Sequence, residues 1–324
     1  MKRFPTLIVL AAMTTAAGCG MQGLILGTEG SYLLTVRDAL ALPNEKVQLQ
    51  ARFQAGDFLR GRQGHVVRFD RGGKIYKATV TDADGVATVT FTPAQAGDYR
   101  FAAEVSPDGL PDDAPAPREL LVACRAAEEP IAVVDLDKTV VASGFHTVLL
   151  GNPQPMAGSP EVLNRLARTH TVVFLTHRPD YFGPKSKTWL RAKGYPPGPV
   201  LLSSMGGFLK GSGTYKTEAI QALKKRFTKV EIGIGDKAGD VQAYHENGLK
   251  GFLIIQVADD ATPAQLDLLA DSMKDLPDAV QVVTGWDQIE KALFDGGRFP
   301  RSAMEQHLRD LATQRKAQQA ATNP

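Results

Sequence analysis

The sequence predicts a two-domain chain: an all-β sandwich, then an α/β domain built on a parallel sheet. Three observations carry this. Between 31 and 126, apolar and polar residues alternate in short runs separated by Gly, Asp and Pro clusters, as half-buried strands require. From 127 onward, short wholly apolar runs alternate with longer amphipathic ones, as strands covered by helices on both faces require. The 324 residues are enough for a core in each part.

The chain carries 37 Lys and Arg against 35 Asp and Glu. With this balance and no long run of one sign, no nucleic acid is expected as a partner.

The N-terminus reads as an export signal. Lys2 and Arg3 precede a short apolar core at 7–12, and Ala16-Ala17-Gly18-Cys19 follows. The core is too short to span a membrane. The stretch resembles a bacterial lipoprotein signal, with Ala16 where a branched residue is usual. That resemblance implies a signal peptide at 1–18, lipidation of Cys19 and a linker at 19–30. It also implies an exported chain anchored in the cell envelope, in the outer membrane because Gly20 follows the cysteine. The other cysteine, Cys124, lies in an apolar run and reads as a small core residue.

Candidate strands of the sandwich, 31–126, are 47–53, 66–69, 86–91, 99–103 and a closing strand at 118–124. Turn clusters at 70–73, 82–85 and 93–98 separate them, and 106–117, rich in Pro and Asp, reads as a loop. The segment from Asp84-Gly85 through Phe91 to Gly97-Asp98-Tyr99 resembles the last strands of bacterial immunoglobulin-like domains. Tyr99 stands where that fold places its corner tyrosine. His65 is isolated and reads as structural. No chemistry is visible here, so a spacer role or an unidentified protein partner is expected.

The second domain, 127–298, opens on the strand Ile131-Ala132-Val133-Val134, which ends in Asp135-Leu136-Asp137-Lys138-Thr139. A helix is expected at 159–168, with Ser159 as cap and Pro160 in its first turn. Strands follow at 171–175, 200–202, 230–234 and 251–255. Helices are expected at 185–193 (stopped by Gly194), 217–227, 241–246, 263–273 and 286–294. The remainder, 299–324, reads as a polar tail: helical over 304–316 with Leu308 and Leu311 on one side, disordered from 317.

Ligands in open parallel sheets bind beyond the carboxyl ends of the strands, and the sequence gathers polar residues there. Asp135 and Asp137 follow the first strand, Thr176-His177-Arg178-Pro179 the second, and Asp236 and Asp240 the fourth, while Lys216 opens a helix. Side chains two apart on an extended chain share a face, so Asp135 and Asp137 repel unless a cation or proton lies between them. His177 and Arg178 read equally as substrate contacts or as a solvated loop.

These four pieces, in this order, resemble the motifs of the haloacid dehalogenase (HAD) superfamily in its phosphatase branch. The resemblance implies an α/β HAD-like, Rossmannoid domain and a magnesium-dependent phosphoester hydrolase. It implies Asp135 as nucleophile, Asp137 as acid and base, Thr176 and Lys216 at the phosphoryl group, and Thr139, His177 and Arg178 at the substrate. It assigns Mg2+ to Asp135, the Asp137 backbone carbonyl, Asp236 and Asp240. The chemistry agrees, since a carboxylate can attack phosphorus if cations cancel the repulsion.

Leu175-Thr176-His177-Arg178-Pro179, Tyr215-Lys216-Thr217-Glu218 and Gly235-Asp236-Lys237 further resemble lipin-type phosphatidate phosphatases. A lipid phosphate, reached through the anchor at Cys19, is the substrate this implies. The spans 139–159 and 176–216 are short of a cap insertion, so an open site is expected. Two residues depart from the pattern: Lys138 stands where Gly is common and Asp236 where lipins carry Asn. Soluble or polymeric phosphoesters, and an inactive scaffold, remain alternative readings.

Overall fold

The computed structural model describes residues 32–322 except 57–58, 109, 111–113, 144–152, 205–207 and 209–210. The export signal, Cys19 and the linker lie outside the described residues, as does most of the Gly-rich stretch 205–211.

Among the described residues, nine strands make the sandwich: β1 (Tyr32–Val36), β2 (Ala39–Ala41), β3 (Val47–Ala55), β4 (Arg60–Gly61), β5 (Val66–Arg71), β6 (Lys74–Val80), β7 (Val86–Phe91), β8 (Gly97–Val105) and β9 (Arg118–Cys124). One sheet joins β1, β3, β4 and β7; the other runs β2-β9-β8-β5-β6. The alternation read from the sequence points inward as expected. Leu49 and Phe53 on β3, Val89 and Phe91 on β7, and Phe101 on β8 share one core with Phe69, Leu120 and Val122. Each such side chain contributes about 1.5–3 kcal/mol on burial. The Tyr99 hydroxyl donates to the Gln95 carbonyl at 2.8 Å, the bond of a tyrosine corner. His65 packs its ring edgewise on Phe53, and Cys124 is buried and free. Strands β1, β2, β4 and β6 are not expected from the sequence; β6 escapes it because nearly all its residues are exposed, so no alternation marks it.

The α/β part contains β10 (Ile131–Val134), α1 (Ser159–Leu166), β11 (Thr171–Pro179), a 3-10 turn (Asp180–Phe182), α2 (Gly183–Ala192), β12 (Val200–Ser203) and α3 (Ser212–Lys224). It continues with β13 (Val230–Gly235), α4 (Ala238–Glu246), β14 (Lys250–Ile254), α5 (Pro263–Ser272), β15 (Gln281–Val283), α6 (Trp286–Phe294) and α7 (Arg301–Thr322). The sheet order is β12-β11-β10-β13-β14-β15, and every pairing in it is parallel. Strand residues alternate between two apolar layers. Ile131 and Val133 face one with Ile220, Tyr244 and Leu266; Ala132 and Val134 face the other with Leu163, Phe252 and Trp286. The chain travels outward from β10 to β12 and then returns to place β13 on the other side of β10. The crevice between β10 and β13 is thus the switch point at which such sheets bind ligands.

Three expectations are corrected. Ser159 does not cap α1; Gly158 does, in the left-handed region at φ 78°, and the Ser159 hydroxyl instead meets Met156 O and Tyr195 OH, both at 2.6 Å. Lys216 does not open its helix, which begins a turn earlier at Ser212. Residues 299–322 do not form a separate tail. Helix α7 runs unbroken to Thr322, and Leu308 and Ala312, four apart and so on one face, enter the α/β core. Ion pairs from Arg309 to Asp271 and from Lys316 to Asp267 clamp it onto α5. So narrow an apolar stripe is faint in sequence but sufficient when its partner helix supplies carboxylates.

The two halves also share a core. Leu40, Leu121 and Ala123 of the sandwich belong to the same apolar cluster as Ile131, Val133 and Val173.

Candidate active site

Asp135 follows β10 directly. Its amide donates to Ile234 O at 3.0 Å, extending the pairing with β13 by one residue, and its Oδ1 accepts from Leu136 N at 2.8 Å. The chain then turns sharply at Lys138, whose φ of 53° is left-handed. A glycine would meet this demand without strain. The turn is therefore kept although its usual residue is not.

Lys216 is fully buried. Its ammonium lies 2.8 Å from Asp135 Oδ2 and 2.6 Å from Asp240 Oδ2. Ser212, one helical turn earlier, donates to Asp240 Oδ1 at 3.0 Å. Residues i and i+4 share a helix face, so α3 grips Asp240 with both. Helix α4 carries Asp240 close to the sheet because β13 has no side chain at Gly233: a Cβ there would fall 2.4 Å from the Tyr244 ring.

Asp135, Asp236 and Asp240 each offer a carboxylate oxygen, all within 4.8 Å of one another. Asp236 Oδ1 is buried and has no hydrogen-bond partner. Three carboxylates around one ammonium leave uncompensated negative charge, which a divalent cation with hard oxygen preference suits. The residues therefore fit Mg2+. Asp236 has the clearest capacity to ligate, because both oxygens of Asp135 and of Asp240 already meet a donor. The Asp137 carboxylate is not among the clustered oxygens.

The electrostatics follow from this packing. Burial pushes the Asp135 carboxyl above its usual range, and Asp240 and Asp137 add to the rise against the pull of Lys216. Burial alone would lower Lys216, but Asp135, Tyr244 and Asp240 hold its ammonium well above the ordinary value. Burial, then the Asp135 charge, pushes Asp236 up to about 6.

On the other side of β10, Arg178 is buried and forks onto Asp137, with Nη2 to Oδ1 at 2.7 Å and Nε to Oδ2 at 2.9 Å. Its Nη1 donates to Ser186 Oγ at 2.8 Å. Arg178 is thus no part of a solvated loop; it orients Asp137. Thr176 is buried, and its Oγ1 accepts from the Arg178 amide at 3.3 Å. The His177 ring stacks on Phe208 and leans on Tyr215. Thr139 is fully buried, with its carbonyl accepting from Trp286 Nε1 at 2.8 Å.

The structure thus brings Asp135, Lys216, Asp236 and Asp240 into one cluster, and Asp137 with Arg178 and Thr176 into its neighbour. The sequence reading missed Ser212, Ser186 and Tyr244. Only the i, i+4 spacings Ser212–Lys216 and Asp240–Tyr244 could have flagged the first and last.

Solved structures similar to parts of the chain include the CARDB domain from Pyrococcus furiosus, at 21% identity and TM-score 0.22 over 29% of this chain and 95% of that one. The D0-D1 domain of intimin is 22% identical at TM-score 0.22 over 29% of this chain and 49% of that one. Invasin, a bacterial integrin-binding protein, is 19% identical at TM-score 0.23 over 30% of this chain and 19% of that one. No curated protein matches the chain. Residues 132–258, which hold every residue of the cluster, match the family described as the LNS2 domain of PITM 1-3, a lipin-like domain of HAD-related phosphatase fold.

Proposed function

We propose that the protein is a magnesium-dependent phosphomonoester hydrolase acting through an aspartyl phosphate on Asp135. The observation that carries this is the buried Lys216 ammonium bridging Asp135 and Asp240 beside the unpartnered oxygen of Asp236, at the sheet's switch point. The LNS2 match over the same residues supports it.

Asp135, with Asp236 and Asp240, would hold the metal, which supplies positive charge against the phosphoryl oxygens. A carboxylate oxygen of Asp135 attacks phosphorus, forming the acyl-phosphate bond as the ester P–O bond breaks. Asp137 gives its proton to the departing alkoxide. It then takes a proton from water, whose oxygen attacks the same phosphorus and releases phosphate and free Asp135. Lys216 balances charge on Asp135 throughout. Both Asp137 oxygens accept from Arg178, so one of those bonds opens when Asp137 carries the proton.

The substrate we propose is phosphatidate or a similar lipid phosphate, met at the cell envelope through lipidated Cys19 on an exported chain. The resemblances of the sequence to lipins and to lipoprotein signals support this. Among the described residues no helix is long and apolar enough to cross a membrane. The test is phosphate release with magnesium from phosphatidate in mixed micelles and from a panel of soluble phosphomonoesters, with Asp135→Asn as control. Release from phosphatidate alone is expected. Release from soluble esters keeps the chemistry and overturns the lipid assignment. No release from either leaves an inactive scaffold as the reading.

A further inference from the structure

The end of β11 carries Thr176 and Arg178, yet its ladder is broken there. Thr176 pairs with Leu202, the register then shifts, and pairing resumes only at Pro179 with Ser203. Over this gap, among the described residues, side-chain bonds help to hold the strand end. Three elements supply them. Ser203 of β12 donates to His177 O at 2.9 Å. Ser186 of α2 accepts from Arg178. The third comes from the sandwich: Arg37 Nη2 lies 2.9 Å from Oδ2 of Asp180, which directly follows the strand and is buried.

Arg37 is itself well placed for this. It occupies the corner between β1 and β2, where its amide donates to Gln50 O of β3. Its neighbour Asp38 is buried and accepts from Leu121 N at 2.8 Å in the sandwich and Val200 N at 3.0 Å in the α/β part. Asp38 also pairs with Lys187 of α2. Two consecutive residues of the sandwich thus key the edge strand β12, helix α2 and the turn after β11. The shared core around Leu40, Leu121 and Ala123 packs beside that corner.

We infer that Arg37 is a positioning residue of the active site: through Asp180 it fixes the end of β11 and so the placement of Thr176 and Arg178. The sandwich is then a structural half of the catalytic unit. The catalytic consequence rests on the phosphatase reading; the positioning itself does not.

The test uses the full chain with Arg37→Ala, Arg37→Lys, Asp180→Asn and the double variant Arg37→Ala/Asp180→Asn. Amide hydrogen exchange is followed at 176–182, with β10 and α5 as internal references. Arg37→Ala and Asp180→Asn are expected to speed exchange at 176–182 about tenfold and leave the references unchanged. In turnover, kcat is expected to fall about tenfold with KM held within about twofold, as for a small misplacement of catalytic groups. The double variant should match either single one, and Arg37→Lys should recover most of the loss. Unchanged exchange at 176–182 overturns the inference, and so does faster exchange with wild-type kcat. If the unaltered chain turns over no phosphoester, the phosphatase reading fails alone, and the exchange result still decides whether Arg37 holds this strand end.

Discussion

Arg178 holds both carboxylate oxygens of Asp137 in a fork of 2.7 and 2.9 Å while its third nitrogen is tied to Ser186. The guanidinium is planar and its donors rigid, so the pair sets the direction of Asp137 as well as its charge. Arg178→Ala should lower kcat at least about tenfold, and Arg178→Lys should not restore it, because a lysine is a point charge without the fork. Steady-state kinetics on the two variants decide this. Full activity in Arg178→Lys would mean that only charge matters at this position.

Lys216 is the counter-ion of two buried carboxylates. Lys216→Met should abolish turnover and, without metal, cost about 3–5 kcal/mol, because removing one partner leaves uncompensated buried charge. Thermal unfolding with and without magnesium checks this, and the ion should recover part of the loss. A variant as stable as the parent in chelator would show that Asp135 and Asp240 do not need the ammonium.

Stability and metal affinity should depend on pH in opposite senses. Asp236 is raised from 3.8 to about 6 and Asp135 is raised as well. Between those values the folded chain keeps a proton that the unfolded chain has lost. Metal-free stability therefore falls as pH rises from about 4 through about 6. A cation competes with that proton, so magnesium binding should weaken as pH falls through about 6. Melting curves at several pH values, with chelator and with magnesium, test both signs; a metal-free protein that gains stability across this window would contradict the charge arrangement.

Lys138 adopts a left-handed conformation that costs an L-residue about 1–2 kcal/mol. Lys138→Gly removes this cost and gives back about 0.5–1 kcal/mol through the freedom of the unfolded chain. The variant should be neutral to slightly stabilised in urea unfolding, whereas Lys138→Val should lose stability. Equal stability for Gly and Val would show that the turn relaxes.

Helix α7 should be integral to the α/β part. Leu308→Ala, deep in the shared core, should cost about 2–5 kcal/mol. A tail merely resting on the surface would give no change in the same urea titration.

Much of this arrangement is legible in the chain because strand-end chemistry is local. The apolar runs 131–134, 171–175 and 230–234 announce buried strands, and the residues that follow each must emerge at the sheet's carboxyl edge, so the sequence alone places Asp135, Thr176 and Asp236 there. The corner tyrosine at Tyr99 is similarly local, since its bond partner is four residues away. Strand β6 and helix α7 were harder, because one lacks a buried face and the other buries a narrow one.

By itself, then, the sequence determined the two fold classes, the strands that carry the site and the residue types at their ends. These follow from hydrophobic period and turn chemistry, which act over a few residues. Only the tertiary structure decided which ends meet. That Lys216 joins Asp135 to Asp240, that Arg178 forks onto Asp137, and that Arg37 reaches Asp180 across 143 residues depends on strand order and on two apolar layers closing over one sheet. Such pairings are chosen by packing across long loops, and no local pattern encodes them.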